Sequence, residues 1–163
     1  MDLQVIQNKI CELRGQRVML DFDLAELYEV ETRALNQAVK RNLNRFPKDF
    51  MIRLSSKEWK ALRSQIVMRA DKHATNSSQF VINSRKHRGE KYLPLAFTEH
   101  GVTMLASILR SDKAVKVNIS IVRAFVALRE FALTYRELAN KLVEMETKYN
   151  MQFKDVYEVL DLL

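Results

Sequence analysis

The chain has 163 residues, 47% hydrophobic and 29% charged, with three glycines and two prolines, so it can bury a core and is not a disordered polymer. Its formal net charge of +7 is uneven: Arg33 to Lys91 holds fifteen Lys or Arg against four acids, and the remainder is acidic, a pattern that points to a localised polyanion-binding surface. No apolar run reaches the ~18 residues that cross a bilayer, MDLQVIQNKI has no signal core, and the single cysteine, Cys11, cannot form an internal disulfide, so the expectation is a cytoplasmic protein without a membrane partner.

KICELRGQRVML places two apolar-rich segments around Gly15, which predicts a β-hairpin over Lys9–Leu13 and Arg17–Leu20. Cys11 lies among apolar neighbours and reads as a structural thiol. Asp21 and Asp23 precede the next helix, where carboxylates cap free amides; no further ligand has the spacing of a metal site.

Asp21 to Phe50 then gives two amphipathic helices with almost nothing between them, a helix-turn-helix pattern. Leu24, Leu27 and Tyr28 share one face of the first; Leu35, Ala38, Val39 and Leu43 share one face of the second. Opposite Leu35 cluster Arg33, Gln37, Lys40 and Asn44, flanked by Asn36 and Arg41. That face carries cations and amides but no acid. Arg and Lys pair with phosphates or guanine edges and Asn or Gln with adenine, so it reads as a nucleic-acid face; the alternative is a solvated helix surface.

Phe46-Pro47 stops the helical pattern. Asp49–Leu54 is expected to be a strand, and Ser55 or Ser56 to cap a helix whose Trp59, Leu62 and Ile66 face the core. Met68–Lys91 is polar and basic around Phe80-Val81-Ile82, the pattern of a long loop or hairpin; Arg85, Lys86, Arg88 and Lys91 make it a candidate wing on a DNA backbone, or else a surface loop without a partner. Tyr92–Phe97 reads as a second strand, and Pro94 hints that it lies at a sheet edge.

Thr98 caps the next helix, with Val102, Leu105, Ile108 and Leu109 inward. Ser111-Asp112 starts a last helix in which Ile119, Val122, Phe125, Val126 and Leu133 are expected to pack on the domain. Leu138, Leu142, Met145, Tyr149, Val156, Val159 and Leu163 continue at four-three spacing, with Gln152 in one slot, which predicts a coiled-coil segment that pairs with another chain or, failing that, folds back. The pattern reaches Leu163 without a Gly or Pro stop, as expected of a truncated chain.

LAELYEVETRALNQAV resembles the general bacterial helix-turn-helix pattern, with Ala25 at the helix crossing and Leu35 inward. That pattern usually places glycine where Glu29 stands, because the turn residue is left-handed, so a turn that differs from the standard one is expected. The longer series from RGQRVMLDFDLAELYEV through FPKDFMIRLSSKEWKALRSQ to KYLPLAFTEHGVTMLASILRSDKAVKVNISIVRAFVALR resembles the Orf-six N-terminal domain family of phage and bacterial proteins, a relative of the KilA-N and Bro-N domains, over about Leu13 to Arg129. The resemblance implies a compact α+β DNA-binding domain, often found in phage regulators of antirepressor type, with no catalytic set.

The expectation is therefore an α+β fold: a small compact domain over residues 1–130, with an N-terminal β-hairpin, a helix-turn-helix-like pair and short strands, followed by a helical extension over 131–163. Arg33, Asn36 and Gln37 would meet base edges of double-stranded DNA, while Lys40, Arg41, Arg45, Lys48, Arg85, Lys86, Arg88 and Lys91 would meet phosphates. A homodimer would form through Leu138, Leu142, Met145, Tyr149, Val156 and Val159. The alternative is an adaptor that binds another regulator protein through its C-terminal helix and DNA only weakly. His73, His87 and His100 are isolated and no phosphate-binding glycine loop is present, so neither an enzyme nor a bound metal or cofactor is expected.

Overall fold

The computed structural model describes residues 2–72, 93–109 and 111–160, which fall into two units, Met1–Ala124 and Phe125–Leu163. The fold is α+β. A short helix, α1 (Leu3–Gln7), opens it, capped by Asp2, whose carboxylate accepts from the Gln4 N–H at 3.0 Å.

Strands β1 (Ile10–Leu13) and β2 (Gln16–Leu20) form the expected hairpin. Its turn uses Arg14 at φ 53° and Gly15 at φ 74°, the two positive values of a type I′ turn, whose twist matches that of the strands it joins. Gly15 adopts this conformation freely, whereas Arg14 is held there by a fork of bonds to Glu58, Nε to Oε1 at 2.7 Å and Nη2 to Oε2 at 3.0 Å. Glu58 also accepts from the Ser55 N–H and hydroxyl, each at 2.8 Å, and its own N–H donates to Ser55 Oγ at 3.3 Å. This is a capping box at the start of α4 (Ser56–Lys72), so Ser55 is the cap. The Arg14 and Ser55 bonds favour the charged form and hold the Glu58 carboxyl at about 2, below the usual range.

With β3 (Met51–Arg53) and β4 (Leu95–Thr98), the hairpin builds a four-stranded antiparallel sheet in the order β1-β2-β4-β3. Phe97 stands between Met19 and Met51, and Ala96 between Leu20 and Ile52. Pro94 therefore misled: β4 is an inner strand, buried at every position, and the proline sits just ahead of it, where its carbonyl accepts from the Leu54 N–H at 3.2 Å.

Alternation along the strands sends the two sheet faces to different cores. Val18, Leu20, Ile52 and Ala96 join Trp59 and Leu62 of α4 and Phe22 in one cluster. Trp59 meets Phe22 edge-on at 5.9 Å, so it is a core residue, as its spacing predicted. On the other face Met19 and Phe97 are fully buried, and Phe46 packs edge-on against Phe97 at 5.9 Å. Helix α4 runs on to Lys72, so the start of the expected Met68–Lys91 loop is helical; Arg85, Lys86, Arg88 and Lys91 lie outside the described residues.

Helix α5 (Glu99–Ile108) begins where β4 ends, capped by Thr98, and helix α6 spans Asp112–Leu160. The buried stripe at the start of α6 is Ala114, Val117, Asn118 and Ile121, followed by Ala124. Ile119 and Leu133, expected inside, are about half exposed. The shift has a polar cause: Asn118 belongs to the buried stripe because its Oδ1 accepts from the Tyr28 hydroxyl at 3.3 Å. Burial raises the Tyr28 hydroxyl pKa above its ordinary value.

Candidate nucleic-acid interface

The helix pair begins directly at the end of β2. Helix α2 (Asp21–Tyr28) is buried at every position but Glu26, and α3 (Thr32–Lys40) inserts Leu35 and Val39, both fully buried. The inward face of α3 is the predicted one up to Val39. It ends sooner than predicted: α3 stops at Lys40, a single 3-10 turn covers Leu43–Arg45, and Leu43 is 55% exposed. Asp21 and Asp23 lie inside the first turn of α2, not ahead of it. Their charge still suits the positive helix end, while Lys9 Nζ pairs with Asp23 at 3.3 Å and with Glu26 at 2.9 Å.

The turn between the helices is the standard left-handed one despite its residue. Glu29 has φ 55° and ψ 44°; its N–H donates to Glu26 O at 3.1 Å and the Val30 N–H to Ala25 O at 2.9 Å, the paired bonds of a Schellman motif. The expectation of a different turn is thus corrected: the two backbone bonds fix the conformation, and an exposed ion pair from Lys113 to the Glu29 carboxylate accompanies it. A glutamate in this region costs about 1–2 kcal/mol, the ion pair returns under about 1 kcal/mol, and glycine would add unfolded-state entropy. Glu29→Gly is therefore expected to stabilise the protein by about 0.5 kcal/mol, seen as a small rise in Tm on thermal denaturation; a fall would mean that the Lys113 pair dominates.

On the outer side of α3, Arg33, Gln37 and Lys40 are exposed. Among the described residues none of these three side chains has a hydrogen-bond or ion-pair partner. They line a groove of about 640 Å³ together with Asp21, Thr32, Asn36, Leu93 and Pro94. Asn36 differs from its neighbours on the helix. Its Nδ2 donates to Asp21 Oδ2 at 2.7 Å, and its Oδ1 is buried with no partner among the described residues. Asp21 accepts at its other oxygen from the Phe22 N–H at 2.8 Å. The Asn36–Asp21 bond ties the middle of α3 to the first turn of α2, so the side chain is half-buried in the groove wall while Arg33 and Gln37 are exposed.

Around this face, Arg41 and Lys48 are exposed, and Arg45 Nη1 donates to Ser107 Oγ of α5 at 2.9 Å. The groove thus gathers Arg33, Asn36, Gln37 and Lys40, with Arg41, Arg45 and Lys48 following along the chain. Sequence reasoning missed Asp21 and the Leu93–Pro94 wall. Asp21 looked like a cap, and nothing local in the sequence announces a bond that crosses between two helices. Among the described residues no His, Cys, Asp and Glu cluster could hold a metal ion.

A family model described as the ORF6N domain matches residues 8–108. The chain belongs to the ORF6N domain family. No curated protein and no solved structure matches it. The ORF6N family is of the phage-type regulatory class and is not an enzyme family. Its matched span contains the whole sheet, the helix pair and α5, hence every described residue of the groove. It ends before α6, which begins at Asp112. Among the described residues no helix of this ORF6N chain is long and apolar enough to cross a membrane.

Proposed function

We propose that this ORF6N domain binds double-stranded DNA as a phage or prophage regulator of antirepressor type, with α3 in the major groove. The observation that carries the reading is the outer face of α3: Arg33, Gln37 and Lys40 exposed, unpartnered among the described residues and free of acids. Arg33 and Gln37 offer the donors and acceptors that read guanine and adenine edges. Asn36, with its Nδ2 bonded to Asp21 and its Oδ1 buried, keeps α3 in its rotation beside them. Lys40, Arg41, Arg45 and Lys48 take phosphates, and the Arg85–Lys91 segment adds further cations of the same sign.

The test is a selection of bound sequences from a random duplex pool, followed by titration of the full chain at two salt concentrations. Lys40→Ala is expected to weaken binding to every duplex and to lower the salt slope by about one. Arg33→Ala with Gln37→Ala is expected to relax specificity by about 1–3 kcal/mol for each base lost. Unchanged binding of the double variant to selected and random duplexes would remove α3 as the reader. A weak response with no salt dependence would favour the adaptor reading instead, in which the C-terminal helix binds another regulator.

A further inference from the structure

From Arg129 to Met151 every position of α6 except Ala132 is exposed, yet its sequence is not that of a solvated helix. Phe131, Leu138 and Met145 alternate with Tyr135, Leu142 and Tyr149 at four-three spacing, and each is at least 53% exposed. A seam of large apolar side chains left in water is unfavourable, and an isolated helix gains most of its stability from packing such a face. The spacing is the heptad, with Tyr135, Leu142 and Tyr149 at a and Phe131, Leu138 and Met145 at d. Residues 131–160 extend for about 45 Å, enough for the four heptads that make a coiled coil credible.

The flanking charges choose partner and direction. In this frame Lys141 and Lys148 occupy g, and Glu146 occupies e. In a parallel, in-register pair g of one chain meets the following e of the other, so Lys141 faces Glu146 of the second copy twice by symmetry. In an antiparallel pair that seats Leu138 against Tyr149, g meets g, and Lys141 faces Lys148 of the other copy. The first arrangement is attractive and the second repulsive. We propose that residues 131–160 of α6 pair with the same segment of a second copy of this chain as a parallel, in-register coiled-coil dimer. Both copies then enter the coil from the same end, which brings two ORF6N domains together and suits a DNA site made of two related halves.

The full chain is tested first by sedimentation equilibrium, where twice the monomer mass is expected. A monomer, or any higher assembly, overturns the proposal. Direction is tested by oxidative cross-linking in a Cys11→Ser background. Leu138→Cys and Tyr149→Cys chains are each expected to cross-link to themselves. Cross-linking only when the two variants are mixed would establish the antiparallel pair and overturn the proposal. Lys141→Glu should weaken the dimer several-fold, and Lys141→Glu with Glu146→Lys should restore it; no restoration would remove the charge pairing on which the direction rests. These readouts need no DNA, so they stand or fall separately from the α3 reading.

Discussion

Gly101→Ala is expected to destabilise the protein by about 2–3 kcal/mol or more, although alanine is ordinarily the better helix residue by about 0.5–1 kcal/mol. A Cβ built at Gly101 would lie 2.1 Å from the Phe50 carbonyl oxygen and 3.1 Å from its carbonyl carbon. Backbone cannot swing aside as a long side chain can. That same oxygen accepts from the Thr98 N–H at 3.0 Å and is 3.3 Å from the Thr98 hydroxyl, so moving it disturbs the cap of α5 and the approach to β3 together. Thermal denaturation is expected to show a Tm fall of about 5–10 °C. A Tm equal to or above that of the unaltered chain would mean that α5 can withdraw from Phe50 without loss.

Leu35→Ala has the other large effect expected, about 2–5 kcal/mol, because Leu35 is fully buried and its removal leaves a cavity under α3. Gln37→Ala, two residues on, is exposed and should change stability by no more than about 0.5 kcal/mol. The two variants together measure the rotation of α3. Leu35→Ala should lower the denaturation midpoint and leave the base preference of the folded fraction unchanged, whereas Gln37→Ala should do the reverse. If Gln37→Ala were the destabilising one, the inward and outward faces would have been exchanged.

What could be read in advance was whatever depends on local periodicity and turn chemistry. Leu35 and Val39 were identifiable as inward from a 3.6-residue repeat, the hairpin from Gly15, and Trp59 with Leu62 from the helical spacing of α4. Polar groups with non-local partners defeated the same reasoning. Asn118 hides the buried stripe of α6 because its partner, Tyr28, lies far away in sequence. Asn36 looks like one more outward amide until Asp21 is found beside it. Sheet order was equally illegible: a proline ahead of β4 carries the same local signature whether the strand is central or at an edge. Helix α1, five residues long, is too short to show a period at all.

The position of β4 also bears on how the chain acquires its structure. The strand lying between β2 and β3 is the last of the four to be synthesised, and its partners span Val18 to Arg53. Until residues 95–98 have left the ribosome, the β1–β2 hairpin and β3 have no means of joining, and both offer open hydrogen-bonding edges. Closing so long a loop is slow, since chain entropy is lost before the contacts that reward it are made. A nascent chain interrupted before Leu95 holds the helix pair that carries the proposed DNA contacts, but lacks the strand against which Phe46 packs and from which α5 starts.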